Sequence, residues 1–365
     1  MPLFSAILIS CNAMTTSYEM VSPRKILWHK DKIAAYFAGE PVFPATLELG
    51  LTTACNRSCS DCPSRRGQPG LFLSLDTAKR LFSLCRGNTF GAILSGGEPT
   101  LHPDFGPIMA AARANGFRDV VVISNGSRLD LKKVSEPLLR YASAVRVSLY
   151  DWHENAVRPS TTLERIARLR DAIEKAGSSL QIGTSLLTRK TNRKSLELAA
   201  AAVRAAGAHW LYFHPTCVST PRGLGRESGQ ERLLAALESC RCGQPPDFAV
   251  HYLAQRFSLT PIAFQGYHAA HFIMVVGADG NNYLSSETKY QEPFRIGAEA
   301  DYADNDFFHR SERRKMIASF DSNAYPAGGS RNRGVIYNQV LEKTRRAMGE
   351  QGLPAAPEFL LPHIL

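Results

Sequence analysis

The feature that most constrains the fold of this 365-residue chain is a regular alternation of short β-branched runs with helical segments. Helical patterns separate successive runs, and strands that alternate with helices of this length form a parallel sheet covered by helices. The pattern predicts an α/β fold, a partial (β/α)6 barrel open on one side, with function at the C-terminal ends of its strands. The predicted strands are Thr46–Thr52, Ala92–Ser95, Asp119–Ser124, Ala144–Tyr150, Leu180–Leu187 and His209–His214, and the predicted helices are Leu75–Cys85, Phe105–Asn115, Leu131–Tyr141, Thr162–Ala176 and Ser195–Ala206.

The pattern changes after residue 215. Phe272–Gly277 and Asn282–Leu284 predict a hairpin around Ala278-Asp279-Gly280, and a last helix is predicted near Tyr337–Glu350. We therefore predict an N-terminal leader and capping segment over 1–45, the barrel over 46–215, and a smaller α+β C-terminal extension over 216–365. Because the predicted barrel is open, this extension is expected to close it as a lid.

Composition and charge exclude several classes of protein. The chain is 44% hydrophobic and 21% charged, which is typical of a globular protein and not of a disordered or fibrous one. Its net charge of +10 comes from scattered basic residues, which favours a solvated surface over a nucleic-acid footprint. No apolar run is long enough to span a membrane, and no secretory signal pattern is present. We predict a cytoplasmic protein with no membrane partner.

Three cysteines carry the strongest chemical signal. Cys55, Cys59 and Cys62 follow the first predicted strand with the spacing Cys-x3-Cys-x2-Cys. Three thiolates on one loop suit three irons of a [4Fe–4S] cluster and leave the fourth iron open to another ligand. A zinc site would need a fourth Cys or His at short spacing, and the nearest candidate in sequence, His102, lies far along the chain. The triplet predicts an iron–sulfur cluster, with zinc as the alternative.

A second motif, Ser95-Gly96-Gly97-Glu98-Pro99, ends the second predicted strand. Together with the cysteine triplet it resembles the radical S-adenosylmethionine (SAM) superfamily, over roughly residues 46–215. Later segments look like further strand ends of that family, namely Ser124-Asn125-Gly126, Arg146 through Asp151 to Arg158, Leu187-Thr188 and Phe213-His214-Pro215.

The resemblance implies a mechanism and a set of roles. In this family SAM chelates the fourth iron, one electron cleaves its carbon–sulfur bond, and the resulting 5′-deoxyadenosyl radical abstracts hydrogen from a substrate. An acidic donor such as flavodoxin or ferredoxin supplies the electron. The implied metal ligands are Cys55, Cys59 and Cys62. The implied SAM contacts are Gly96, Gly97, Glu98 and Pro99 at the methionine moiety, Ser124 and Asn125 at the ribose, Ser148 and Arg158 at the carboxylate, and Leu187 or Phe213 at the adenine. Asp61 stands where the family often has an aromatic residue.

The C-terminal extension departs from the pattern of many relatives. They place a cysteine after an Asp-Gly hairpin, where this chain has Ser285 and Ser286. A second cluster on Cys217, Cys240 and Cys242 stays an alternative, although Cys-x-Cys is a tight spacing. Cys85 is expected to be a bystander, buried on a helix face.

The substrate is predicted from polar residues near the expected mouth of the barrel. Tyr150, His268, His271 and Glu287 are the candidate catalytic groups, with Lys289 close to the hairpin and Cys217 as a hydrogen donor in an epimerase. They suit a small polyhydroxylated or amine-bearing molecule, such as an aminoglycoside or nucleoside sugar. The C-terminal pattern loosely resembles the radical SAM dehydratases and epimerases of aminoglycoside and nucleoside antibiotic biosynthesis. This resemblance implies a lyase-type dehydration in such a pathway. The alternatives are a radical SAM epimerase, a peptide-modifying maturase, and a non-catalytic iron–sulfur or zinc protein that binds nucleic acid.

Overall fold

A computed structural model describes residues 22–59, 62, 70–149, 151–152, 160–188, 196–215, 230–257, 262–325, 333–351 and 359–365. Within these ranges the strands join in one ten-stranded sheet, in the order β10-β9-β8-β1-β2-β3-β4-β5-β6-β7. The strands are β1 (Thr46–Thr52), β2 (Gly91–Gly96), β3 (Asp119–Ser124), β4 (Ala144–Ser148), β5 (Gln181–Thr188), β6 (Trp210–Pro215), β7 (Ala249–Tyr252), β8 (Ile273–Val276), β9 (Asn282–Tyr283) and β10 (Arg295–Gly297).

The helices that cover the sheet alternate with its first strands. Helix α2 begins after Ser74, whose side chain accepts from the Thr77 amide at 3.0 Å, and α5 ends at Gly177 in the left-handed conformation. The helices are α1 (Lys30–Phe37), α2 (Leu75–Leu84), α3 (Phe105–Ala114), α4 (Lys132–Tyr141), α5 (Thr161–Ala176), α6 (Leu196–Ala205), α7 (Gln230–Cys242), α8 (Ser311–Ser319) and α9 (Arg333–Gln351).

The two faces of β1 show how the sequence builds the barrel. Leu47, Leu49 and Leu51 alternate along the strand and are fully buried in the main hydrophobic core, against helices such as α2 and α3. Glu48 lies on the opposite face, where it lines the inside of the barrel. Alternate residues of a strand point to opposite faces. About half of the side chains of each strand therefore pack against the helices, and the others face the inside of the barrel.

The predicted α/β fold is confirmed: β1 to β6 pair in parallel and in sequence order, with helices between them. The sheet then continues past residue 215. Strand β7 pairs in parallel with β6 at one edge, and β8 pairs in parallel with β1 at the other. The predicted hairpin forms from β8 and β9, as an antiparallel extension of this same sheet. The C-terminal region thus supplies part of the barrel wall.

The segment 359–365 closes the end of the barrel at which the strands begin. Thr46, the first residue of β1, donates its hydroxyl to the His363 carbonyl at 2.6 Å and accepts from the Leu365 amide at 2.9 Å. Asp119, the first residue of β3, accepts from the His363 amide at 2.9 Å. The Leu365 side chain lines the internal cavity. Access to the cavity is therefore expected from the opposite end, where the cysteine loop lies.

No helix in the described part of the chain has both the length and the apolar character needed to cross a membrane.

Candidate active site

A cavity of about 310 Å³ occupies the inside of the barrel. Its lining includes the three thiols of the triplet, both glycines of the Gly96-Gly97 pair, and side chains of the C-terminal region. The cysteines follow β1 and the glycines end β2, so both lie at the carboxyl edge of the parallel sheet, where barrel enzymes place their functional groups. The structure brings the two sequence motifs together at one end of one cavity.

Main-chain hydrogen bonds hold the cysteine loop against the glycine motif. The Gly97 amide donates to the Thr52 carbonyl at 2.6 Å, and the Glu98 amide donates to the Ala54 carbonyl at 2.8 Å. Gly96 has a φ of 135°, a conformation that side-chain-bearing residues rarely adopt. A Cβ on Gly97 would lie under 3.0 Å from the Ala54 main chain. Both glycines are therefore needed for the backbone to pass this close to the cysteine loop.

Glu98 is fully buried and organises the loops around it. One carboxylate oxygen accepts from the Thr100 hydroxyl at 2.7 Å and the Ser124 hydroxyl at 2.8 Å, and the other accepts from the Asn125 amide at 2.7 Å. Glu98 is not among the described residues that line the cavity. The carboxylate accepts from donors of β3 and of its own turn, and the expected contact with the SAM ammonium group stays a prediction. Pro99 is buried beside it in a short 3-10 turn.

We predict that Glu98→Gln destabilises the protein by about 1.5–3 kcal/mol, the usual value of a hydrogen bond to a charged group. The replacement amide turns a donor toward one of the donors from Thr100, Ser124 or Asn125. Urea unfolding monitored by circular dichroism measures the loss. Glu136→Gln, on α4, is the control, and an equal stability of the two variants would contradict the role given to Glu98.

Asn125 connects the third strand to the cysteine loop. Its side-chain amide donates to the side-chain oxygen Oδ1 of Asn56 at 2.8 Å and to the Cys55 sulfur at 3.8 Å. Ser124 and Asn125 both line the cavity, as do Ser148 and Leu187 at the ends of β4 and β5. These four residues were predicted to contact SAM, and the structure places them around the cavity near the cysteine loop.

The thiols have the chemistry that iron requires. Cys55 is exposed at the loop, but partial desolvation raises its pKa, and the nearby Glu98 and Cys62 raise it further, while the Arg57 amide opposes this by donating to the Cys55 sulfur at 3.4 Å. No three His, Cys, Asp or Glu side chains in the described ranges converge on a point that one metal ion would occupy. A cluster makes no such demand, because each thiolate binds a different iron. The donor set fits a [4Fe–4S] cluster.

Other predicted residues are not brought to the cavity. His268 and His271 stand three residues apart in a 3-10 turn, so they share one side of it, and that side packs on Tyr36 of α1 with ring centroids 5.7 and 5.1 Å apart. Tyr267 and Ala269 line the cavity instead. His268 and His271 are not among the described residues that line the cavity, and they join the turn to α1. Burial lowers the pKa of His271 well below its ordinary value.

The alternative second cluster finds no support in the two cysteines that are described. Cys240 is buried at the end of α7, whereas Cys242 is exposed and donates to Glu238 at 3.5 Å. Cys85 is buried beside α2, as predicted. The predicted residues Tyr150, Arg158 and Cys217 lie outside the described residues.

Sequence reasoning missed a charged network inside the barrel. Glu48 is 5% exposed and accepts from the Ser286 hydroxyl at 2.8 Å. The Lys289 ammonium lies 3.5 Å and the Arg333 guanidinium 3.4 Å from its carboxylate. These cations and the Ser286 hydroxyl hold the pKa of Glu48 below its usual range, although burial alone would raise it. A charged residue in the middle of an otherwise apolar strand was the available signal.

The C-terminal hairpin takes part in this network. Ser286, which follows the hairpin, donates its hydroxyl to Glu48. Glu287, one of the predicted catalytic residues, also lines the cavity. The structure therefore supports a wall-forming role for this region, with hydrogen-bonding groups in place of a metal ligand.

A curved parallel sheet whose carboxyl edge carries a three-cysteine loop locked to a Gly-Gly-Glu turn defines the radical SAM class of barrel. The family model of the radical SAM superfamily matches residues 49–209. Curated relatives with the description GTP 3′,8-cyclase include one from Klebsiella pneumoniae subsp. pneumoniae, 30% identical over 166 residues, or 41% of this chain and 49% of the relative. Another, from Vibrio cholerae, is 35% identical over 91 residues, or 23% of this chain and 27% of the relative.

Solved structures agree with this fold. Streptococcus suis SuiB bound to S-adenosylmethionine superposes with a TM-score of 0.59 at 12% identity, over 79% of this chain and 69% of SuiB. Native anSMEcpe with bound AdoMet gives a TM-score of 0.54 at 15% identity, over 74% of this chain and 83% of that one. These likenesses show the fold, and over residues 49–209 the chain is similar to the radical SAM superfamily. The chain spans about half the length of the curated relatives it matches.

The residues of the site fit the cofactors of this superfamily, a [4Fe–4S] cluster and SAM. Three thiols supply the iron ligands, and polar groups of Ser124, Asn125 and Ser148 line the cavity near them.

Proposed function

We propose that this protein is a radical SAM enzyme that abstracts a hydrogen atom from a small polyhydroxylated molecule held inside the barrel. The observation that carries the proposal is that one cavity is lined both by the cysteine and glycine motifs and by polar groups of the C-terminal wall. A reactive carbon radical needs a site shielded from solvent, and the wall formed by the hairpin and 359–365 supplies that shielding.

In the proposed enzyme, Cys55, Cys59 and Cys62 hold the cluster, which together with SAM supplies a primary carbon radical on one-electron reduction. Glu98 holds the loops after β2 and β3 in place, and Asn125 ties the second of them to the cysteine loop. The proposed SAM contacts are Gly96, Gly97, Ser124, Asn125, Ser148, Leu187 and Arg158. An acidic flavodoxin or ferredoxin is the proposed electron donor, since the chain carries a net charge of +10 and Cys55 is exposed at the loop.

Dehydration remains our proposed outcome for the substrate. Loss of a hydroxyl as water needs a group that gives it a proton, and Glu287 and Lys289 are the proposed candidates at the cavity wall. An aminoglycoside with several positive charges suits the cavity poorly, because its described lining holds more cations than carboxylates. A sugar that carries an anionic group suits it better.

A second candidate, a cyclase acting on a nucleotide, is favoured by the curated relatives named GTP 3′,8-cyclase. The same cationic lining supports it. A peptide substrate is suggested by the structure of SuiB with its precursor peptide SuiA, but that likeness, with a TM-score of 0.60 at 13% identity, concerns the fold alone. The closed end of this cavity favours a small molecule over a peptide.

We expect the anaerobically reconstituted protein to form 5′-deoxyadenosine from SAM when dithionite is added. Chromatography of the quenched reaction measures the product, and protein without added iron and sulfide is the control. Absence of 5′-deoxyadenosine from protein that contains the full cluster would contradict the proposal. Analysis of the products of candidate sugars and nucleotides then separates dehydration, epimerisation and cyclisation.

A further inference from the structure

The described side chains inside the barrel carry more positive than negative charge. Among the described side chains that line the cavity, five are cationic and two are carboxylates, namely Arg57, Arg146, Arg256, Lys289 and Arg333 against Glu48 and Glu287. Placing like charges in an enclosed space is unfavourable unless an opposite charge compensates them. The surplus therefore indicates a negatively charged occupant.

Glu48 compensates only part of this charge. Its carboxylate is engaged by Lys289 and Arg333, as described above, and lies next to the hydroxyls of Ser95 and Ser286. Arg146 lies in the middle of β4, and its buried Nε has no hydrogen-bond partner among the described residues. Burial, together with the nearby Arg333 and Arg256, lowers the pKa of Arg146 to about 10. At neutral pH it is still a cation.

The wall beside Arg146 carries further polar side chains. The Arg256 guanidinium donates to the Tyr212 hydroxyl at 2.9 Å, and the Tyr212 ring stacks on the His214 ring at 5.2 Å. Burial lowers the pKa of His214 well below its ordinary value, and the cations Arg256 and Arg146 lower it further. His214 is therefore neutral, and it adds a polar group without adding to the positive charge.

Lys289 is held in this space by a strained backbone. The next residue, Tyr290, has a φ of 65°, which is uncommon for a residue with a large side chain. Its hydroxyl accepts from the Ala278 amide at 3.1 Å, which fixes the turn. Strain of this kind persists where the surrounding structure enforces it, often at functional sites. The 4% exposed Lys289 is thus held in the lining and not at the outer surface.

We propose that Arg146, Arg256 and Arg333 form a subsite that binds a phosphate or carboxylate group of the small-molecule substrate. This inference rests on the proposed function for the identity of the occupant. Guanidinium groups bind both anions through paired hydrogen bonds, which makes arginine well suited to the role.

The subsite is distinct from the expected position of SAM. Arg146 pairs with Gly183 across β4 and β5, whereas Ser148, a proposed SAM contact, pairs with Ser185 two residues further along. Two residues of a strand span about 6.6 Å, so Arg146 lies that much deeper in the barrel, away from the cysteine loop. The anionic group is therefore expected below SAM, with the rest of the substrate between them.

The test is direct binding of three probes to the full-length protein by isothermal titration calorimetry. Inorganic pyrophosphate represents phosphate groups, succinate represents carboxylates, and glucose is the uncharged comparison. We expect pyrophosphate or succinate to bind, glucose to bind at least tenfold more weakly, and Arg146→Gln and Arg256→Gln to weaken anion binding by about 10- to 150-fold. The anion that binds with the higher affinity shows whether the substrate group is a phosphate or a carboxylate. Arg204→Gln, at an exposed position of α6, is the control.

SAM affinity is measured in the same variants. If SAM binding falls and pyrophosphate and succinate do not bind the unmodified protein, the arginines serve the SAM carboxylate and the subsite is refuted. Arg146→Lys, which keeps the charge but loses the paired donors, is the second variant if the glutamine variants do not fold. If the glutamine variants, or Arg146→Lys in their place, bound the anions as tightly as the unmodified protein, the proposal would be overturned.

These outcomes are separable from failure of the proposed function. Anion binding that depends on Arg146 would support the subsite even if no 5′-deoxyadenosine were formed. Formation of 5′-deoxyadenosine without anion binding would retain the radical SAM function and refute the subsite alone.

Discussion

Cys59→Ala is expected to lower the iron content of the reconstituted protein from about four irons per chain to below one and to reduce 5′-deoxyadenosine to background. Three thiolates are the fewest that hold a cluster while leaving one iron for SAM, so the loss of any one should suffice. Cys55→Ala and Cys62→Ala should give the same result. Iron analysis and the absorbance of the cluster near 400 nm measure the first effect, and chromatography of the reaction measures the second.

The matched control is Cys242→Ala, which removes an exposed thiol at the end of α7. This variant should keep its iron and its SAM cleavage. A triple variant of Cys55, Cys59 and Cys62 that still held four irons would contradict the assignment and would place the cluster on the remaining cysteines.

Most of the barrel could be predicted because its signals are local. The first six strands are short runs that alternate with helices along the chain, and the structure has β1 and β3 at the predicted residues. Strand β7, by contrast, is four residues long and follows a loop-rich region, so periodicity did not distinguish it. The pairing of β8 with β1 joins residues that are far apart in sequence, and only the tertiary structure reveals it.

The same distinction between local and long-range signals explains which parts of the site could be predicted. Spacing within one loop sufficed to predict Cys55, Cys59 and Cys62, because their chemistry is local. The network of Glu48 with Lys289 and Arg333 joins three distant parts of the chain, and no sequence spacing connects them. The surroundings of His268 and His271 could not be predicted for a related reason. Two residues three apart share one face of a turn, but the sequence does not say whether that face meets the cavity or α1.

Gly97→Ala is expected to lower both the stability of the protein and the yield of its cluster. The added Cβ would lie under 3.0 Å from both the carbonyl carbon and the carbonyl oxygen of Ala54, so main chain and not a flexible side chain would have to move. That movement separates the glycine motif from the cysteine loop and weakens the bonds from the Gly97 and Glu98 amides to Thr52 and Ala54. Insertion of a methyl group into a tightly packed region typically costs about 1–3 kcal/mol, and a contact with backbone places this case at the upper end.

The loss should appear both in folding and in the cofactor site, since the displaced Ala54 directly precedes Cys55. We expect a lower urea midpoint together with a reduced yield of cluster after reconstitution. Gly243→Ala is the control: a Cβ there would meet only the Ser239 carbonyl, at 3.4 Å, which is ordinary contact. If Gly97→Ala matched this control in stability and iron content, the close approach of the two motifs would have no energetic importance, and the glycine pair would need another explanation. If only the iron content fell, the close approach would serve to position the cysteine loop and not to stabilise the barrel.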